Sequence, residues 1–144
     1  DLNLIASFNI SRLAAAHMAN NEPEGEDTGE RGVIINTASI AAFEGQIGQV
    51  AYTAAKAGMV GLTKTAAREL GPKGVTVNAV APGMVMTEMA RALPAEVLDR
   101  ALQESAMREL ATPDDIAAAV VFLLSDMACM ITGEVIRVDA GQYI

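Results

Sequence analysis

The chain has 144 residues, 51% of them hydrophobic and only 3% aromatic, and carries a formal net charge of -8. It is long and apolar enough for one globular domain with a core, and too rich in Ala, Val, Ile and Leu to be disordered. The acidic balance, without a Lys/Arg cluster, argues against a nucleic-acid partner, and no apolar run reaches the roughly 20 residues that span a bilayer.

In chain order, the sequence opens on Asp1 and runs directly into an amphipathic helical pattern over residues 2–19 (LNLIASFNISRLAAAHMA). It has no charged, apolar leader of the secretory kind, and the start reads as a point inside a larger domain. Residues 20–32 (NNEPEGEDTGERG) are acidic and aperiodic, a solvated loop. Residues 33–39 (VIINTAS) form a short β-branched run, the signature of a buried strand. A helix is expected over residues 50–70, ended by Gly71-Pro72, and a second buried strand over residues 75–81 (VTVNAVA), stopped by Pro82-Gly83. Residues 84–107 are helical in parts, methionine-rich and interrupted by Pro94. Thr112-Pro113-Asp114-Asp115 is a helix start, with an N-cap Thr, Pro in the first position and acids in the first turn. The apolar helix it opens precedes a third strand over residues 134–138 (EVIRV). Strand, helix, strand, helix, strand with buried strands predicts parallel βαβ units in an α/β fold. The strand at residues 33–39 should lie at an edge, with neither charge nor proline to blunt it.

The single histidine and single cysteine, His17 and Cys129, leave no Cys/His zinc site and no metal centre of that kind. A Ser-His-Asp hydrolase would need a G-x-S-x-G elbow, and none is present. One cysteine also leaves no internal disulfide, so Cys129 reads as a small buried hydrophobe in a soluble, cytoplasmic protein. The residues that stand out lie in AYTAAKAG, where Tyr52 and Lys56 break a run of small side chains. At i and i+4 they share a helix face, with Cβ atoms about 6 Å apart. An ammonium placed beside a phenol favours the phenolate, the form that works as a base. Ligands of parallel α/β sheets bind beyond the carboxyl ends of the strands, which gathers Ser39, Pro82 and Gly83 with Tyr52 and Lys56. Ser39 can then hydrogen-bond the substrate oxygen that exchanges a proton with Tyr52.

Ser39, Tyr52 thirteen residues later, Lys56, and the Asn78-Ala79-Val80-Ala81-Pro82-Gly83 segment closely resemble the short-chain dehydrogenase/reductase family. The resemblance covers the whole chain and implies a doubly wound, Rossmann-like parallel sheet. It implies four catalytic residues. Asn3 holds a water that relays protons, Ser39 orients the carbonyl or hydroxyl, Tyr52 is the general acid/base, and Lys56 tunes the phenol and binds the nicotinamide ribose. It also implies that Thr37 and Ala38 line a NAD or NADP cofactor. Residues 82–87 then contact the nicotinamide through Pro82, Gly83, the Val85 backbone and the Thr87 hydroxyl. Within the family, residues 31–58 look most like type 2 3-hydroxyacyl-CoA dehydrogenases, including the extended acidic loop before them. Residues 64–83 look equally like 3-oxoacyl-carrier-protein reductases. Both imply hydride exchange at C3 of an acyl thioester carried by CoA or a carrier protein, with Gln46 and Gln49 flanking the substrate and residues 86–110 as a mobile lid.

The sequence departs from that pattern in one respect. Family members open with a strand and a G-x-x-x-G-x-G turn that receives the pyrophosphate at a helix N-terminus. Here the glycines before Gly45 are Gly25, Gly29 and Gly32, all in the acidic loop. Residues 1–144 therefore read as the C-terminal, catalytic part of a single dehydrogenase domain. Two other readings use the same residues: an extended-type relative that epimerises nucleotide sugars, and a non-catalytic module kept for assembly. The apolar faces of the first helix (Leu4, Phe8, Leu13, Ala16) and of the Tyr52 helix (Ala55, Met59, Leu62, Ala66) exceed what one sheet face covers. With the family's habit of pairing these helices across a twofold axis, that predicts a homotetramer, or failing that a dimer.

Overall fold

The computed structural model describes residues 2–23 and 29–144; Asp1 and residues 24–28, which include Gly25 and most of the acidic loop, lie outside the described residues. The amphipathic start is a π-helical turn, Leu2–Ala6, that runs into helix α1, Ser7–Met18. Strand β1 is Gly32–Thr37, followed by a short helix α2, Ala41–Glu44, and the long helix α3, Val50–Leu70. A 3-10 turn at Gly71–Lys73 leads into β2, Val75–Pro82. Two further helices, α4 (Glu88–Arg91) and α5 (Ala95–Glu104), precede α6 (Pro113–Leu124) and the last strand, β3 (Val135–Val138).

The three strands form one sheet in the order β1-β2-β3, and both pairings are parallel. Side chains alternate across it with the strand period of 2. Ile34, Val75 and Val77 face α1 and α3, where they pack with Ala15 and Ala67. On the other face Val80 packs with Leu123 and Ala128, and Ile35, Ile116 and Ile136 close around them. The middle strand is buried from both sides, with Thr76 and Pro82 half-buried and even the polar Asn78 fully enclosed.

Helix α6 begins as expected, with a capping box: the Asp115 N–H donates to Thr112 Oγ1 and the Thr112 N–H donates 2.7 Å to Asp115 Oδ2. The Thr112 hydroxyl, donating 2.6 Å to the same Asp115 Oδ2, and then the Thr112 N–H hold the Asp115 carboxyl below its ordinary pKa. Asn78 is fully buried and binds the approach to β3, donating 2.8 Å to Ile131 O and accepting 3.1 Å from Glu134 N.

Several expectations are corrected in detail. The strand expected over residues 33–39 ends at Thr37, although Ala38 N and Ile40 N still donate to Val80 O and Pro82 O. Helix α2 has no counterpart in the sequence reading, because four residues are too few to show a period. Met59 does not lie on the outward apolar face of α3. It is 1% exposed, because Lys56, Met59, Thr63 and Ala67 form the row that meets the sheet. The outward apolar surface is instead strongest on α1, where Phe8, Ile10 and Leu13 are 47%, 69% and 55% exposed. Cys129 is half-buried rather than buried. Among the described residues β1 and β3 are the sheet edges, and no helix is long and apolar enough to cross a membrane.

Candidate active site

The strand register brings the chain's polar outliers to one level at the carboxyl end of the sheet. Thr37 lies opposite Val80 and Pro82 opposite Val138. Past those pairs, Ile40 N donates 3.1 Å to Pro82 O and Gly83 N donates 3.2 Å to Val138 O. Ser39, Gly83 and Asp139 therefore leave the sheet side by side. The Ser39 Oγ accepts the Ala41 N–H at 3.2 Å as α2 starts. A hydroxyl has one donor and two acceptor sites, so this contact leaves the Ser39 proton to give to a ligand oxygen.

Tyr52 and Lys56 occupy the first turns of α3, Tyr52 half-buried one turn before the row that meets the sheet and Lys56 at its start. The Lys56 Nζ donates 2.8 Å to the Thr37 carbonyl oxygen and stands 5.6 Å from the centre of the Tyr52 ring. Its side chain is 8% exposed, and burial pushes its pKa below the ordinary lysine value. Small side chains make this reach feasible: Ala38, Ala79 and Ala81 lie buried beneath Val60 and let α3 approach the sheet closely. A buried polar chain fixes the helix behind the site. Ser11 Oγ donates 3.4 Å to Asn36 Oδ1, Asn36 Nδ2 donates 3.0 Å to Thr63 Oγ1, and Thr63 Oγ1 donates 2.8 Å to Met59 O.

The remaining sequence-derived residues are placed more loosely. Asn3 is exposed on the π-helical turn, and its neighbour Leu4 rests on α3, where a Cβ on Gly58 would stand 2.9 Å from Leu4 Cδ2. Gln46 and Gln49 are exposed on the loop before α3, with Gln49 N donating 3.0 Å to Gln46 O. Val85 forms an isolated parallel bridge with Ala111. Thr87 caps α4, its Oγ1 accepting the Ala90 N–H at 3.2 Å, which leaves its hydroxyl proton available. Ala38 is 2% exposed, so it would offer a ligand backbone rather than side chain.

Sequence reasoning missed the third strand's contribution. The rule that singled out Ser39 and Gly83 applies equally to the residue after Val138. Asp139 is 7% exposed, and its two carboxylate oxygens accept Gly141 N at 3.0 Å and Tyr143 N at 3.2 Å. Burial, then the charges of Glu104 and Asp139, push the Glu44 carboxyl above its ordinary pKa. The ends of α2, α5 and β3 thus meet electrostatically beside the site. Among the described residues no group of three His, Cys, Asp or Glu side chains is placed to hold a metal ion.

A parallel, Rossmann-like sheet thus carries a serine, a tyrosine and a buried lysine at its carboxyl end, where sheets of this class bind their ligands. Residues 1–142 match the family model described as "Enoyl-(Acyl carrier protein) reductase", and the chain belongs to that family of short-chain dehydrogenases/reductases. It is 45% identical over 142 residues to 3-hydroxyacyl-CoA dehydrogenase type-2 of Homo sapiens, covering 98% of this chain and 53% of that protein. It is 42% identical over 144 residues to a 3-oxoacyl-[acyl-carrier-protein] reductase of Staphylococcus epidermidis, covering 100% of this chain and 56% of that protein. The crystal structure of 3-hydroxyacyl-CoA dehydrogenase type-2 from Mycobacterium avium superposes with a TM-score of 0.88 at 45% identity, over 100% of this chain and 54% of that one. The chain thus spans about half the length of the curated relatives it matches.

Proposed function

We propose that residues 1–144 are the C-terminal catalytic part of one Rossmann-like domain, and that the intact protein is a cytoplasmic, NAD- or NADP-dependent oxidoreductase. Its substrate is a 3-hydroxyacyl or 3-oxoacyl thioester, carried on CoA or a carrier protein. The observation that carries this reading is Lys56, buried, held by Thr37 O at 2.8 Å and 5.6 Å from the Tyr52 ring centre. The names of the relatives support the substrate class, since each refers to a 3-hydroxyacyl or 3-oxoacyl compound. Their greater length supports a longer polypeptide around these residues.

The residues present fit the nicotinamide riboside half of a dinucleotide. Gly83 brings bare backbone to the carboxyl edge, and Lys56 keeps two N–H donors beyond the one given to Thr37 for ribose hydroxyls. Thr37, Ala38, Pro82, Val85 and Thr87 would line that half. No glycine turn joins a strand to a helix N-terminus among the described residues, so the pyrophosphate would be held elsewhere in the polypeptide. When bound, the nicotinamide supplies or accepts the hydride at C3. In reduction, Tyr52 gives its phenolic proton to the C3 oxygen as the carbonyl becomes an alcohol; in oxidation it takes that proton back. Ser39 donates to the same oxygen and orients it. Lys56 places its ammonium 5.6 Å from the Tyr52 ring centre, and a water held by Asn3 would resupply the proton. Gln46 and Gln49 flank the acyl group, and residues 86–110 cover it. We propose a homotetramer, or failing that a dimer, supported by the exposed Phe8, Ile10 and Leu13 on α1.

The test is turnover by the intact protein, followed through nicotinamide absorbance with a 3-oxoacyl thioester and a 2-enoyl thioester, and through separation of the sugar products with a nucleotide sugar, because epimerisation returns the hydride and leaves no net absorbance change. Turnover of the 3-oxoacyl thioester is expected. Turnover of the enoyl thioester alone would favour the reaction in the family model's description, turnover of the sugar an epimerase, and none of the three a non-catalytic module.

A further inference from the structure

The segment after β3 turns back across the site, and one side chain on it joins two parts of the machinery. Gln142 Oε1 accepts the Met84 N–H at 2.6 Å, and Gln142 Nε2 donates 3.3 Å to Ala101 O in α5. The two ends of one amide therefore hold the loop that follows β2 and the helix proposed as substrate lid. The approach is close enough to require glycine: a Cβ on Gly83 would overlap Gln142 Oε1 and stand 2.8 Å from Asp139 Cβ.

The turn that carries Gln142 is itself fixed. Asp139 holds it through Gly141 N and Tyr143 N, and Gln142 N donates 3.0 Å to Asp139 O. Ser105, fully buried at the end of α5, donates 2.9 Å to Ala140 O, and Met107 N donates 3.1 Å to the same oxygen. Ala140 is held at φ 53°, a conformation L residues rarely adopt, so the turn persists only because these contacts impose it.

We infer that Gln142 is a positioning residue that sets the Gly83–Met84 backbone for the nicotinamide and couples it to closure of α5 over the acyl group. The inference rests on the reading of Tyr52, Lys56 and the 82–87 loop given above. A glutamine serving both ends needs both its oxygen and its amide protons, so the two functions separate by substitution. Gln142→Met keeps length and removes both contacts. Gln142→Glu keeps an acceptor for Met84 N and removes the donor to Ala101 O.

In the intact protein, Gln142→Met is expected to raise the dinucleotide Kd and the acyl-substrate KM each by about tenfold, the scale of one good hydrogen bond. Gln142→Glu is expected to restore dinucleotide Kd to near wild type while KM stays raised. Wild-type Kd and KM in folded Gln142→Met would overturn the inference, as would equal losses of both in the two variants. Loss of folding in both would make Gln142 a strut of the fold and overturn it too. If Tyr52→Phe retains turnover, the site reading fails; if Tyr52→Phe is inactive and Gln142→Met behaves as wild type, only this inference fails.

Discussion

The Lys56 ammonium donates 2.8 Å to the Thr37 carbonyl at the end of β1, and from there stands 5.6 Å from the centre of the Tyr52 ring on its own helix. That one contact ties the base of the proposed site to the sheet. A lysine free on a helix surface would sample many rotamers, whereas this one is buried and tethered, so its charge is fixed relative to the phenol. Spacing in sequence supplies the pair, and the sheet supplies its geometry.

The first prediction follows for Tyr52. In the intact protein Tyr52→Phe keeps the ring that packs beside Lys56 and removes only the transferable proton. Turnover should fall by about 10²–10⁴-fold, the range of general acid–base catalysis, with an unchanged melting temperature. Retention of more than about a tenth of wild-type kcat, under ~1.4 kcal/mol in the barrier, would contradict the assigned role.

A second prediction concerns pH and Lys56. Burial lowers its pKa in the folded protein from the ordinary lysine value of 10.5. Between the folded value and 10.5 the unfolded chain holds a proton that the folded chain has lost, so stability rises with pH through that window. Below it the charged lysine carries its full desolvation cost. Denaturant unfolding of wild type and Lys56→Met, from about pH 7 to about pH 10, should therefore show wild type gaining on the variant as pH rises. A constant difference, or one that moves the other way, would mean that Lys56 is not desolvated.

The third prediction is structural. Asn78 satisfies Ile131 O and Glu134 N from a fully buried position. Asn78→Ala leaves both backbone groups unpaired inside the protein and should cost about 3 kcal/mol, since each orphaned group costs about 1–3 kcal/mol. The loss is read from the denaturation midpoint. A cost under ~1 kcal/mol would show that water reaches the loop before β3.

Much of this was legible in the sequence, and the parts that were not share a cause. The strands at residues 33–39, 75–81 and 134–138 and the helix at residues 50–70 all stand within two residues of the structure, because short β-branched runs beside Gly or Pro mark the strands and Gly71-Pro72 marks the end of the helix. Thr112-Pro113 carries its own start signal. Met59 was misplaced because a helix with small residues on every side has no clear outward face; only contact with the sheet separates its rows. Asp139 holds the nearby Gly141 and Tyr143 amides and could have been found from its place just past β3, but Gln142 escaped because its partners, Met84 and Ala101, lie some forty to sixty residues away in the chain. No local pattern announces contacts of that range.

The fourth prediction concerns assembly. Ile10 and Leu13 expose apolar side chains on one side of α1, and Phe8 is exposed on another. Light scattering of the intact protein should give a tetramer, or failing that a dimer, and Leu13→Glu should lower the assembly state by placing a charge in the contact. A monomer at micromolar concentration would count against the proposed pairing.

The last prediction concerns the cofactor. In the proposed reading, residues 1–144 offer a dinucleotide the lysine, the serine and the Gly83 backbone at the carboxyl edge, which together would hold only its nicotinamide end. The pyrophosphate carries the larger charge and is bound in this class of fold by N–H groups of a glycine turn at a helix N-terminus. The described residues after β1 lead instead into α2, only four residues long and preceded by Ile40 with no side-chain cap. β1 also presents one row of backbone N–H and C=O groups with no strand beside it among the described residues, an edge suited to a further parallel strand. We therefore expect residues 1–144 expressed alone to associate through that edge and to show no measurable affinity for NAD(H) or NADP(H). A longer polypeptide that supplies the glycine turn should gain binding and activity together. Calorimetry showing micromolar dinucleotide binding by residues 1–144 would overturn this and require a pyrophosphate site among the residues described.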